Sequence, residues 1–110
     1  MKRKIYLFCS AGMSTSLLAT KMQKVADQHK LPIEVEAFSY LEIDDIVEER
    51  NPDCMLLGPQ IKYMYNELKS KFETKNIPIE VINQTDYGTM NGEKVLKLGI
   101  KMIKENKSKI

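Results

Sequence analysis

The sequence predicts an α/β fold, a four-stranded parallel sheet with helices on both faces. Two observations predict it. Short apolar runs alternate strictly with helical patterns, giving βαβαβαβα along the 110 residues, and that alternation marks parallel strands joined by right-handed crossovers. The first and third runs, "IYLF" and "CMLLG", are also apolar throughout, as strands covered on both faces are. A chain of this length forms one domain, residues 1–110, with a core large enough to need neither disulfide nor metal. Only the last residues, "KENKSKI", read as a frayed end.

The elements follow in order. Ile5 to Phe8 is a buried strand ending at Cys9. From Ser16 the period becomes helical, with Leu18, Met22 and Val25 on one face and Lys21, Lys24 and Asp27 on others. Pro32 disfavours helical geometry at Leu31 and ends this helix near "HKLP". In Ile33 to Phe38, Ile33, Val35 and Ala37 alternate with Glu34, Glu36 and Phe38, the pattern of an edge strand. Ser39 and Glu42 form a capping box that opens a short helix through Val47. Asn51 and Pro52 break the chain before the strand Cys54 to Gly58. Pro59 then suits a first helical position, and Ile61, Met64, Tyr65, Leu68 and Phe72 line the helix that follows. Pro78 starts a last strand, "IEVI". A polar loop, Asn83 to Asn91, leads to a final helix with Val95, Leu98 or Gly99, Met102 and Ile103 facing inward.

Composition narrows the function. The two cysteines, Cys9 and Cys54, lack a paired spacing, so a disulfide framework is not expected. With one histidine, His29, and no C-x-x-C, a zinc site lacks ligands; neither metal nor cofactor is expected. Three cations before four apolar residues are too short for a signal peptide, and no run approaches a transmembrane span, so the reading is cytoplasmic without membrane insertion. A net charge of +2 with both signs scattered gives no case for nucleic acid, and the lysines of "EKVLKLGIKMIKENK" read as a solvated face.

Chemistry concentrates in "YLFCSAGMSTSLL". Ligands of open α/β sheets bind beyond the carboxyl ends of strands, and Cys9 sits at such an end. The loop Ser10-Ala11-Gly12-Met13-Ser14-Thr15 carries backbone N–H groups that can turn inward, with Gly12 supplying conformational freedom. The following helix presents free N–H groups and a partial positive charge that suits a phosphate or a thiolate. The hydroxyls of Ser10, Ser14, Thr15 and Ser16 add donors. This arrangement predicts an exposed, nucleophilic Cys9 that becomes phosphorylated; the alternative is a buried structural cysteine with a helix cap after it. Tyrosine phosphatases use C-x5-R-[ST]; here Cys9 is followed by five residues and then Thr15-Ser16, with threonine at the arginine position. Without that bidentate clamp, the loop suits custody of a phosphoryl group more than its hydrolysis.

These stretches make the chain resemble the IIB component of the bacterial phosphoenolpyruvate-dependent sugar phosphotransferase system, lactose/cellobiose type. "FCSAGMSTSLL", "CMLLGPQIKYM" and "VINQTDYGTMNGEKVL" carry the resemblance, which covers nearly the whole chain. It implies a fold similar to low-molecular-weight tyrosine phosphatases, with strand order 2-1-3-4. It also implies that Cys9 takes phosphate from a phosphohistidine on IIA and passes it to a β-glucoside-type, cellobiose-like sugar held by membrane IIC, which would tether the protein peripherally. One rival reading is a cysteine phosphatase or arsenate-reductase-like enzyme on the same loop, and a second is a non-catalytic module that binds an anion or nucleotide at the helix end.

Other residues are weighed against this. Cys54 reads as core, and His29, at a helix end, as surface or cap rather than the phosphohistidine. Gln60, after the third strand, neighbours the Cys9 loop in that order and contacts phosphate or partner, or simply makes a turn. Asp86 and Tyr87 lie after the fourth strand, where related phosphatases carry their general acid; a turn-forming Asp86 is the preferred reading. Met13 and Met90 offer either an adaptable docking surface or core packing.

Overall fold

The computed structural model describes residues 2–10 and 12–108. Its four strands are β1 (Arg3–Cys9), β2 (Ile33–Ser39), β3 (Cys54–Leu57) and β4 (Ile79–Val81), and its helices are α1 (Gly12–Gln28), α2 (Ile43–Arg50), α3 (Tyr65–Glu73), α4 (Gln84–Gly88) and α5 (Gly92–Ser108). The strands form one parallel sheet in the order β2-β1-β3-β4, the order the resemblance implies.

Alternation along β1 explains the two layers. Ile5 and Leu7 point into a cluster with Leu18, Met22, Cys54, Leu56, Val95 and Met102, beneath α1 and α5. Tyr6 and Phe8 point the other way, among Ile43, Val47, Met55, Leu57, Leu68 and Phe72, beneath α2 and α3. β1 and β3 are therefore buried on both faces, as their unbroken apolar runs require. β2 is an edge, and the Gln23 side chain closes part of it, donating to the Ile33 carbonyl at 2.9 Å and accepting from Val35 N–H at 2.8 Å. Phe38 departs from the polar set to which its alternation assigns it. It is half-buried, with its ring 5.1 Å from Tyr6 and 5.8 Å from Phe8.

Several boundaries differ from expectation. α1 begins at Gly12, four residues before Ser16; serine and threonine lower helix propensity, so the periodic signal starts only where leucines do. The Ser39–Glu42 capping box is formed, but it opens a 3-10 turn, Tyr40–Glu42, that feeds α2, and α2 continues to Arg50 before a left-handed Asn51. Pro59 starts a 3-10 stretch to Met64, broken at buried Ile61 (φ −115°), so α3 starts only at Tyr65. The Asn83–Asn91 loop contains α4, whose first amides, Thr85 and Asp86, bond to the Asn83 side chain at 2.8 and 3.2 Å. α5 reaches Ser108, through most of the expected frayed end. Its inward residue is Gly99, where a Cβ would stand 2.9 Å from Ile5 Cδ1, so the missing side chain is what lets α5 approach β1; Leu98 is half-buried beside it.

Candidate active site

Cys9 ends β1 between two strands. Its Cα partner on one side is Ser39 of β2, and on the other side Phe8 pairs with Leu57 of β3. One step further, Gly58 N–H donates to the Phe8 carbonyl at 2.8 Å. By the same alternation, Cys9 and Gly58 face the α1/α5 side. Directly after Ser10 and residue 11, α1 starts, and no acidic residue stands in its first turn to neutralise the helix N-terminus. Cys9 is buried, at 0% exposure, where the sequence predicts an exposed thiol. It ends a central strand, where a Cβ on Gly58 would stand 3.3 Å from its own Cβ.

The expected loop is mostly helix. Ser10 is exposed and Ala11 lies outside the described residues. Gly12 is the first residue of α1, and Met13, Ser14, Thr15 and Ser16 continue the helix. The Met13 side chain lies outside the described residues. Ser14 is exposed, and Ser16 lines a groove of about 790 Å³ between α1 and β2, with Thr20, Gln23, Val35 and Ala37. Thr15, at the position that holds arginine in a phosphatase, is fully buried. The free row of hydroxyls that the sequence suggests is thus divided among three environments, because successive residues of a helix point about 100° apart.

Gln60 and Tyr87 do come to this end of the sheet. Gln60 Nε2 donates to the Tyr87 hydroxyl at 2.9 Å, and that hydroxyl lies 3.0 Å from Thr15 Oγ1. Three turns that follow β1, β3 and β4 are thereby joined. Gly58 makes the Gln60 placement possible: a Cβ on it would sit 2.5 Å from Gln60 Oε1 and 3.3 Å from Cys9 Cβ. Sequence reading missed Gly58 as a site residue; the signal was a Gly-Pro directly at a strand's carboxyl end. Asp86 occupies the first turn of α4, its amide on Asn83 and its carbonyl accepting from Asn91 N–H at 2.9 Å, which fits a turn-forming aspartate. Met90 packs on the α1/α5 core, and its positive φ of 54° makes the turn into α5.

Outside this end the assignments are simple. Cys54 is buried and its thiol lies 3.8 Å from the Gly99 carbonyl; burial pushes its pKa far up, so it stays a neutral thiol. His29 is exposed just past α1.

Residues 4–98 match the family described as PTS system, Lactose/Cellobiose specific IIB subunit. A galactose-specific EIIB component from Lactococcus lactis subsp. cremoris is 45% identical over 95 residues, covering 84% of this chain and 88% of that protein. A cellobiose-specific EIIB component from Lactococcus lactis subsp. lactis is equally similar, at 45% over 95 residues, with the same coverage of 84% and 88%. An oligo-beta-mannoside-specific EIIB component from Bacillus subtilis is 36% identical over 102 residues, 92% of this chain and 96% of its own. Among solved structures, the cellobiose-specific phosphotransferase IIB component of Borrelia burgdorferi superposes with a TM-score of 0.78 at 39% identity, covering 96% of this chain and 95% of that one. The lactose-specific IIB domain of Streptococcus pneumoniae superposes with a TM-score of 0.83 at 20% identity, covering 93% and 98%, a likeness of fold. With the parallel 2-1-3-4 sheet and the match over residues 4–98, the chain belongs to the lactose/cellobiose-type IIB family of the sugar phosphotransferase system, whose members are sugar-specific phosphotransferase components.

Proposed function

We propose that this IIB protein, read as one domain over residues 1–110, is a phosphoryl carrier whose phosphorylated residue is Cys9. The observation that carries this reading is the position of Cys9 at the end of a central strand, with the uncompensated N-terminus of α1 beginning three residues later. In the first step, Cys9 sulfur attacks phosphorus, the P–N bond of a phosphohistidine on IIA breaks with its electron pair on nitrogen, and the proton given up by the thiol passes to that nitrogen, so imidazole leaves neutral. In the second, a sugar hydroxyl held by IIC attacks phosphorus, the S–P bond breaks, and thiolate leaves; a base on IIC takes the hydroxyl proton. Both phosphorylated species are high in energy, so alignment does most of the catalysis. Backbone N–H groups at the start of α1 hold the phosphoryl oxygens, with Ser10 and Ser14 at the mouth.

A cellobiose-like β-glucoside is the sugar this reading favours. Support comes from the names of a cellobiose-specific relative and a cellobiose-specific solved structure. No described helix is long and apolar enough to cross a membrane. On this reading the protein works at the cytoplasmic face, docked on IIC. The phosphatase alternative loses ground at position 15, where a buried threonine bonded to Tyr87 stands in place of the arginine clamp. The test is transfer: phosphoprotein is mixed with membranes bearing cognate IIC and a panel of β-linked disaccharides. Sugar phosphate appearing only with IIC, and foremost with cellobiose, is expected. Release of inorganic phosphate alone, without sugar phosphate, would overturn the carrier reading.

A further inference from the structure

Gln60, Tyr87 and Thr15 close a hydrogen-bonded chain across the site that packing does not demand. Thr15 is the one buried polar residue among the described residues. A buried hydroxyl is costly without a partner, and valine would fill the same space with none needed. Its partner comes from 72 positions away, the Tyr87 hydroxyl at 3.0 Å. That phenol oxygen accepts from Gln60 Nε2 at 2.9 Å as well. The Gln60 carboxamide folds back over Gly58, against the space beside Cys9 Cβ. The chain therefore fastens the first turn of α1 to the turns after β3 and β4, beside a Cys9 that is buried in this arrangement. Its two ends differ. Thr15 is out of solvent, whereas Gln60 is exposed and Tyr87 half-buried, so a docked protein can compete for the outer link but not the inner one.

We infer that Tyr87 is a positioning residue, the pin of a latch that keeps water from a phosphoryl group on Cys9 until a partner opens it. The inference rests on Cys9 being the phosphorylated residue. The reaction it suppresses is hydrolysis: water oxygen bonds to phosphorus, the S–P bond breaks with its electron pair on sulfur, and a water proton passes to solvent. With the latch closed, Thr15 is tied through Tyr87 to Gln60, which lies over Gly58 beside Cys9, and water is kept from a phosphoryl group there. With Tyr87→Phe, both links are gone and Thr15 is no longer tied to the turns after β3 and β4.

The experiment compares wild type, Tyr87→Phe, Thr15→Val, the double variant and Gln60→Leu, each phosphorylated by the upstream phosphotransfer proteins and then separated from them. Loss of the phosphate is followed by intact mass, with thermal midpoints measured on the same samples. Removing one link is expected to shorten the phosphoprotein lifetime about fivefold to tenfold, the equilibrium weight of one hydrogen bond. Thr15→Val with Tyr87→Phe is expected to be no shorter-lived than Tyr87→Phe alone, because both break the same link. A purely structural bond would lower the midpoint and leave the lifetime of the folded phosphoprotein unchanged. Gln60 is exposed, so Gln60→Leu keeps the fold and tests the outer link even if Tyr87→Phe unfolds. Unchanged lifetimes in folded, phosphorylated variants, or fully additive shortening in the double, would overturn the latch while leaving the carrier intact. Failure of wild type to take phosphate on Cys9 would instead overturn the carrier reading itself.

Discussion

Replacing Gly58 by alanine adds one methyl group where the turns of the site meet. The backbone accepts it, with φ −62° and ψ 150°, and restricting the unfolded chain would by itself stabilise by about 0.4–1 kcal/mol. The surroundings do not accept it. The new Cβ would lie 2.5 Å from Gln60 Oε1, 3.3 Å from Cys9 Cβ and 3.5 Å from the Phe8 carbonyl. Gln60 is the end of a flexible side chain and swings away, which breaks its 2.9 Å bond to Tyr87 at a cost of about 1 kcal/mol. Cys9 is fixed by β1, so its tight contact adds roughly 0.5 kcal/mol of overpacking. The losses exceed the gain by about 0.5–1 kcal/mol, roughly 2–4 °C in melting temperature for a chain of this size. In a Gln60→Ala background both the clash and the bond are already absent, and Gly58→Ala should then be neutral within about 0.5 kcal/mol. Urea unfolding of the four proteins measures both values. An equal cost in the two backgrounds would refute the reasoning, because it would place the conflict at Cys9 or Phe8 and free Gln60 of its role.

Three further expectations concern the core. Burial first, and then its 2.7 Å bond to Glu34, push the Tyr6 phenol up to about 12 from 10.0, with Arg50 opposing in part. The folded state thus keeps a proton that the unfolded chain releases, so Tyr6 contributes stability that is whole below pH 10.0 and is lost as pH rises towards about 12; phenolate absorbance should show one late tyrosine, which Tyr6→Phe removes. Cys54 should resist alkylation in native protein at mildly alkaline pH and react only in denaturant, and native labelling at Cys54, read by peptide mass, would contradict its burial. Gly99→Ala should destabilise by about 1 kcal/mol, the conflict with Ile5 exceeding the gain in helix propensity. Ile5→Val, which removes the 2.9 Å contact with Cδ1, should restore the loss in urea unfolding.

The order of the strands came from the family resemblance; the strands themselves were legible because apolar runs and strict alternation are long-range patterns that a parallel sheet imposes on every residue. Cys9 was legible for the same reason: a strand end followed by a helix is a position, and the sequence fixes positions well. The start of α1 was not, since Ser14, Thr15 and Ser16 carry no apolar periodicity and have middling helix propensity. That error has a consequence for the site, because it turns a predicted ring of hydroxyls into a helix face on which only Thr15 points inward. Gln60 and Tyr87 were nameable from their places after β3 and β4, but their bond to each other spans 27 positions and depends on an absent Cβ at Gly58, which no local pattern encodes. α4 was hidden inside a polar stretch, held by an asparagine cap that also serves as a turn residue.

The central claim is the chemistry of Cys9, and intact mass tests it most directly. After incubation with the upstream phosphotransfer proteins and cognate IIA, wild type should gain one phosphate, mapped to Cys9, lost in Cys9→Ser and kept in Cys54→Ser. A phosphate that survives Cys9→Ser, or that maps to His29, would contradict the account.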